Sequence, residues 1–346
     1  MNAMKLALSI TRGFPMRNIA REVRLLCASA LLTSCIAGSA QAYVSGSDVS
    51  WVTQEQSAGY VFRNSSGVTT DPFVLLKSLG VGAIRLRVWV NPSGGWCDTA
   101  DVVAKAKRAA AEGQQVLIDF HYSDTWADPG TQTEPAAWAG QTLSELETDV
   151  TNHTTSVLTA LKSAGVTVSW VQVGNEINSG MLWPVGNTSN GFSPLAGLIN
   201  AGYAATKAVF PNAQVIIHLA NGYDTADFTW FFSGLKAAGG KWDIIGMSHY
   251  PTASNWSTLN SELLTTANTM ISTYKTPVMV VEVGFAIADP TDANDMLADL
   301  TSKIWNLGAY GLGVFYWEPE AYPGWQGYEM GAVTSNGEFT AAMTHL

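Results

Sequence analysis

The stretch WVQVGNEINSG, residues 170–180, makes two demands on one short piece of chain. Trp170, Val171, Gln172 and Val173 have the bulk and the apolar bias of a strand inside a parallel sheet, and the run stops at Gly174-Asn175-Glu176. An ionised glutamate at the end of a buried strand is costly unless a partner neutralises it or a reaction uses it. Glu176 therefore either reaches solvent or belongs to a site, and the segments around it decide which.

Moving outward in both directions, short apolar runs alternate with longer runs of helical periodicity. The strand candidates are 45–50, 83–89, 115–120, 168–173, 214–218, 243–247, 277–283 and 312–317. The helical patterns between them are 99–113, 143–164, 194–209, 225–238, 257–274 and 291–306. Eight strands in alternation with helices over about 300 residues predict an α/β fold, a closed (β/α)8 TIM barrel in a single domain, residues 43–346. An open doubly wound sheet is the rival, but VSGSDVSW (44–51), around the first strand, is not the G-x-G-x-x-G turn into a helix that a dinucleotide fold places there. The irregular stretches 121–142, 178–193 and 318–337 are expected to be loops at the barrel mouth.

Residues 1–42 differ from the rest. Lys5, Arg12, Arg17, Arg21 and Arg24 precede an apolar run, Leu25 to Ala37, and small residues end in Ala40-Gln41-Ala42. This is the layout of a secretory signal cleaved after Ala42, so a secreted or periplasmic enzyme is expected. A second reading is a lipid anchor at Cys35, since Leu32-Thr33-Ser34-Cys35 loosely matches a lipoprotein box. Without the leader's five basic residues and Glu22 the formal charge moves from −10 to −14. Such an acidic body disfavours nucleic acid and anionic membrane as partners and suits a neutral substrate. No later run is long and apolar enough to span a bilayer. Cys27 and Cys35 lie in the leader, leaving Cys97 alone, so no disulfide within the mature chain and no paired-cysteine metal motif are expected. No cofactor and no metal is expected, and the expected state is a monomer.

A barrel presents its chemistry at the C-terminal ends of its strands, where the polar residues can be collected in order. The second strand offers Arg85 and Arg87, the third Asp119 and His121, the fourth Asn175 and Glu176, and the fifth His218 and Asn221. The sixth offers His249 and Tyr250, the seventh Glu282, and the eighth Trp317 and Glu318. Singly, each is more ordinary as an ion-pair member or a satisfied core group. Together they are a convergent set, with two glutamates on opposite sides of a small barrel. Two carboxylates without a metal suit glycosidic bond hydrolysis, in which one protonates the leaving oxygen and the other attacks the anomeric carbon or activates water. Arg85 or Arg87 could keep Glu282 ionised, Asn175 could bond a sugar hydroxyl, and Trp317 offers a floor for a pyranose ring. Thirteen tryptophans, several in proposed loops, among them Trp89, Trp96, Trp126, Trp138, Trp183, Trp256 and Trp325, suggest a polysaccharide.

The longer strings are more specific. GSDVSW, IRLRVWVNP, AKAKRAAAEG, DFHYSDTWADPGTQ, VQVGNEINSGMLWPVG, IHLANGYD, DIIGMSHYP, VVE and GVFYWEPE, in this order from about Val44 to Trp317, resemble glycoside hydrolase family 53, the endo-β-1,4-galactanases. The resemblance implies Glu176 as acid/base, Glu282 as nucleophile, a retaining mechanism, and β-1,4-galactan of pectic arabinogalactan as substrate. It implies sugar contacts from Arg85, Arg87, Asp119, His121, Trp126, Asp128, Asn175, His218, Asn221, His249, Tyr250 and Trp317. Two departures stand out. Glu282 is followed by Val283-Gly284-Phe285-Ala286 where the family has something like Thr-aromatic-Pro, and the chain after GVFYWEPE is short. Some family members bind calcium in that last loop, but nothing in residues 318 to 337 reads as a ligand cluster. The alternatives are a retaining barrel hydrolase acting on mannan or a β-glucan, and a non-catalytic carbohydrate-binding barrel.

Overall fold

The computed structural model describes residues 43–346; the expected leader, residues 1–42 with its two cysteines, lies outside the described residues. Eight strands follow one another: β1 (Val44–Asp48), β2 (Ala83–Val88), β3 (Gln115–Phe120), β4 (Val168–Val173), β5 (Gln214–Leu219), β6 (Ile244–His249), β7 (Val278–Val283) and β8 (Gly311–Trp317). Each pairs in parallel with the next, and β8 returns to β1, so the sheet closes into a barrel and leaves no edge. Six long helices, α3 (Thr99–Ala111), α4 (Leu143–Ser163), α5 (Phe192–Val209), α6 (Thr225–Ala237), α7 (Trp256–Tyr274) and α8 (Pro290–Trp305), occupy the connections where helical periodicity predicts them. Two short helices, α1 (Val52–Ser57) and α2 (Pro72–Ser78), fill the first connection. Neither is long enough to show a periodic stripe, although α2 begins with a local signal, Asp71 accepting the Phe73 N–H at 2.8 Å just ahead of Pro72.

Alternation along the strands sorts side chains between two cores. Ala83, Leu117, Trp170, Ile216, Ile244, Met279, Leu312 and Phe315 form one buried cluster inside the barrel. The intervening residues, such as Ile84, Leu86, Ile118, Val171 and Ile217, pack outward in the cluster that holds the helices. Gly46 is required by this interior, because a Cβ there would lie 2.2 Å from the Phe315 ring. Two residues beyond the apolar layer, the same alternation turns Arg85, Asp119, Gln172, His218 and Ser248 inward, all buried.

β7 breaks the alternation where it matters most. Met247 pairs with Val280 and Ser248 with Glu282, so one step on β6 matches two on β7. On the other side Val280 pairs with Val314 and Val283 with Tyr316, three steps against two. The extra residue lets Val281 pack in the interior cluster while Glu282, next in sequence, also reaches the barrel mouth. On the regular β6, by contrast, an inward Ser248 requires an outward His249.

Candidate active site

Glu176 follows β4 through a turn that a regular strand cannot make. Gly174 has φ +90° and Glu176 itself φ +46°, a conformation that costs a non-glycine residue of order 1 kcal/mol and is held by its surroundings. Two bonds hold it: the Ile177 N–H donates to the His218 carbonyl at 3.0 Å, and the Gln132 side-chain amide donates to the Asn175 carbonyl at 2.8 Å. Glu176 thereby belongs to a site, because the turn aims it into a pocket.

That pocket, of about 200 Å³, is lined by His121, Trp126, Ala127, Asp128, Asn175, Glu176, Tyr250, Glu282 and Trp317. Across it, one carboxylate oxygen of Glu176, one of Glu282 and a ring nitrogen of His218 all lie within 4.8 Å of one another. Glu282 is gripped on both oxygens: Arg85 Nη2 approaches Oε1 at 2.7 Å, and the Tyr250 hydroxyl donates to Oε2 at 3.0 Å. Arg85 is fully buried and is in turn fixed by Asp48 at 2.6 Å, Asp119 at 2.8 Å, the Gln172 side-chain oxygen at 2.7 Å and the Asn175 side-chain oxygen at 3.0 Å. His121 Nε2 lies 2.9 Å from Asp119, while its Nδ1 accepts from the Trp89 indole at 3.1 Å, which makes Nε2 the donor to the carboxylate.

These contacts set the proton inventory. Burial pushes Glu282 up to about 8 and Arg85 opposes it; the charge of Glu176 raises it further. Burial also raises Glu176. Two buried carboxyls this close hold one proton between them, and the Arg85 ion pair together with the Tyr250 hydroxyl places the ionised form on Glu282. Asp119 remains charged: burial works against it, but Arg85 and His121 hold it below the usual carboxylate range.

A second cavity, of about 410 Å³, adjoins the first and shares Trp126 and Trp317 with it. Trp51, Trp89, Trp96 and Tyr328 line it with Gln54, Ser93 and Gln326. Beneath this aromatic wall lies Arg87, whose guanidinium carbon is 4.3 Å from the Trp126 ring centre and 5.2 and 5.3 Å from those of Trp51 and Trp89. Arg87 pairs with Glu318, which also accepts the Trp51 N–H at 3.0 Å. β2 thus supplies two arginines on one face, Arg85 for the carboxylate pair and Arg87 for the aromatic floor.

The glycosyl hydrolase family 53 model matches residues 44–346, all but one of the described residues. The chain belongs to glycosyl hydrolase family 53. Family 53 relatives include a protein named probable arabinogalactan endo-β-1,4-galactanase A from Aspergillus terreus, 36% identical over 297 residues that make up 79% of this chain and 84% of that one. The arabinogalactan endo-β-1,4-galactanase of Thermothelomyces thermophilus is 35% identical, over 79% of this chain and 88% of that one. Among solved structures, a fungal β-1,4-galactanase superposes with a TM-score of 0.81 at 30% identity, covering 88% of this chain and 98% of that one. The family 53 catalytic domain of Ignisphaera aggregans gives 0.80 at 30%, over 87% and 94%. The protein is a glycoside hydrolase on a (β/α)8 barrel.

Of the twelve family 53 sugar contacts expected from sequence, His121, Trp126, Asp128, Asn175, Tyr250 and Trp317 line the pocket. The other six do not. Arg85, Arg87, Asp119 and His218 are buried beneath it and act on the lining residues; His218 contacts Asn175, Gln172 and Ser248 at 2.7 to 3.0 Å, and burial beside Arg85 keeps it neutral. His249 points the other way, out of the barrel, where its Nε2 meets Asn260 of α7 at 2.7 Å and burial lowers it to about 4. Asn221 sits exposed on the loop after β5 and its side chain accepts only from the Tyr223 hydroxyl at 3.2 Å. Sequence reasoning also missed participants. Asp48 closes β1, a strand end left out of the collection, and Gln172 and Ser248 follow from alternation two residues beyond Trp170 and Gly246.

Proposed function

We propose that this family 53 hydrolase is an endo-β-1,4-galactanase that retains anomeric configuration, with Glu282 as nucleophile and Glu176 as acid/base. The observation that carries the reading is the asymmetric hold on two carboxyls within 4.8 Å: Glu282 has a guanidinium on one oxygen and a phenol on the other, and Glu176 has neither. A Glu282 oxygen attacks the anomeric carbon as the bond to the leaving oxygen breaks, and Glu176 gives that oxygen its proton. Water then enters, Glu176 takes its proton, the water oxygen attacks the anomeric carbon, and the ester to Glu282 is released. Close carboxyls favour this double displacement, since an inverting pair stands about 6.5 to 9.5 Å apart to admit a water. Arg85 and Tyr250 keep Glu282 charged until it attacks.

The aromatic groove continuing from the pocket supports binding of several sugar units and hence cleavage inside a chain. Galactan as the polymer rests on the names of the relatives at 35 to 36% identity. The leader-like first 42 residues support export, with a lipid anchor at Cys35 as the alternative location, and the proposed state is a monomer. The test is product analysis on β-1,4-galactan, mannan and mixed β-glucan. The proposal expects a rapid fall in galactan chain length with galacto-oligosaccharides appearing before galactose, and little release from the other two. Preferential release from mannan or glucan would overturn the substrate, and galactose as the first product would overturn internal cleavage.

A further inference from the structure

Ser248, the last but one residue of β6, is buried under the pocket without lining it. We infer that its hydroxyl is a donor directed at the two catalytic carboxyls, serving Glu282 in the free enzyme and Glu176 in the glycosyl-enzyme, and that Ser248 is thereby a positioning residue for the second half of the reaction. The inference rests on the double-displacement reading for the roles of the two glutamates, and on hydrogen-bond direction for the rest.

The direction is set by Arg85. Its Nε donates to Gln172 Oε1 at 2.7 Å, which fixes the Gln172 amide and turns its two N–H bonds toward Asp119 Oδ1 and His218 Nδ1, each at 3.0 Å. The Glu176 backbone N–H also faces His218 Nδ1, at 3.3 Å. Asn175 Oδ1, 3.0 Å from the same nitrogen, already accepts from Arg85, while its amide nitrogen donates to the Ala127 carbonyl at 2.8 Å. A proton on Nδ1 would leave two N–H groups pointing at a third, so Nδ1 accepts. Burial keeps His218 neutral, and its one proton is therefore on Nε2. Nε2 lies 2.7 Å from Ser248 Oγ, which accepts from the ring and has to point its own hydrogen elsewhere. The carboxyl pair is what it faces: Glu282 Oε2 is 3.5 Å away, and burial raises Glu176 while the Ser248 hydroxyl lowers it.

The two carboxyls need this donor unequally. Glu282 has Arg85 at 2.7 Å and the Tyr250 hydroxyl at 3.0 Å, so a third donor at 3.5 Å adds little. Once Glu282 is esterified, the negative charge stands on Glu176, which has to take a proton from the attacking water. Burial disfavours that charge, and so do Asp128 and Asp119, while Arg85 favours it. The other groups around it, neutral His218, the Tyr250 phenol and the esterified Glu282, carry no charge. A serine hydroxyl turns about its Cβ–Oγ bond, so the Ser248 hydrogen follows the charge from Glu282 to Glu176 while its oxygen stays on His218.

The experiment compares the wild type with Ser248→Ala, checked for fold by thermal unfolding, using a 2,4-dinitrophenyl β-galactobioside fluorinated at C2 of the reacting sugar. The rate of inactivation against pH reads the ionisation of Glu282 in the free enzyme, and the rate at which the isolated glycosyl-enzyme reactivates reads that of Glu176. Loss of a donor raises the pH at which a carboxyl gives up its proton, so an affected acid limb moves up. The inference expects the reactivation limb to move up by about one unit, a fall of about tenfold in rate on that limb, and the inactivation limb to move much less. Equal movement of both limbs, or a reactivation limb that stays in place, overturns the role of Ser248 alone. Failure of the wild type to form an adduct overturns the double displacement, and the inference with it. A second measurement needs no Ser248 variant: nitrogen-15 shifts of the imidazoles, with the His218 signals identified by their loss in His218→Gln, should place the proton on Nε2. A proton on Nδ1 overturns the inference, because Ser248 would then donate to the ring.

Discussion

Tyr250→Phe removes one hydroxyl and nothing else from the pocket, so it isolates what holds Glu282 ionised. That hydroxyl donates to Glu282 Oε2 at 3.0 Å, leaving Arg85 at 2.7 Å as the remaining support. A hydrogen bond to a charged acceptor contributes about 1.5 to 3 kcal/mol net, and one pH unit corresponds to about 1.4 kcal/mol. Because the bond favours the carboxylate, its loss raises the value at which Glu282 takes up a proton by about one to two units. Tyr250 lines an open pocket, so water can replace part of the bond and the lower figure is expected. The acid limb of kcat/KM against pH should therefore move up by about one unit, and activity on that limb should fall about tenfold. The alkaline limb, set by Glu176, should move much less. The assay is reducing-sugar release from soluble galactan across pH, with thermal unfolding as the control for fold. An acid limb that stays in place in a folded variant would refute the reasoning that Tyr250 controls the charge of Glu282.

Further outcomes follow from other parts of the structure. Hydrolysis followed by proton NMR at early times should show the β anomer first, as a double displacement through Glu282 requires; an initial α anomer would rule out retention. Glu320 is wholly buried, and burial next to Glu318 raises its pKa well above the ordinary value, so folding takes up a proton and stability falls as pH rises above the ordinary glutamate range. Glu320→Gln should flatten the decline of unfolding free energy with rising pH by up to about 1.4 kcal/mol per unit, as read from urea midpoints. An equally steep decline in the variant would mean that Glu320 is not the group responsible. His249→Ala leaves the buried Asn260 side-chain oxygen without its partner, and should cost about 1 to 3 kcal/mol of stability while leaving both limbs of the pH profile unmoved. A shifted limb would place His249 in the site after all.

The barrel was legible because its signals are repeated: all eight strand candidates overlap the observed strands, and each long helix carries its own periodic stripe. That two glutamates meet in one pocket was legible because each sits where a buried strand ends. What stayed hidden was direction. A list of strand-end residues treats neighbours alike, yet on β6 alternation sends Ser248 inward to His218 and His249 outward to Asn260. On β7 the bulge reverses what alternation alone would say of Glu282, and no residue pattern in VMVVEV announces it. Depth was hidden too. Arg85 and Arg87 have the same type and spacing as surface-reaching residues, but Asp48 and Glu318, both distant in sequence from β2, draw them under the pocket.

The most direct measurement is to trap the intermediate. An activated 2-deoxy-2-fluoro-β-galactosyl oligosaccharide, turned over slowly because the fluorine destabilises the charge at the anomeric carbon, should leave one glycosyl adduct by intact mass. Peptide mapping should place that adduct on Glu282, and Glu176→Ala should still form it when the leaving group needs no proton. An adduct on Glu176, or hydrolysis of the reagent with no covalent species at all, would contradict the division of labour between the two carboxyls.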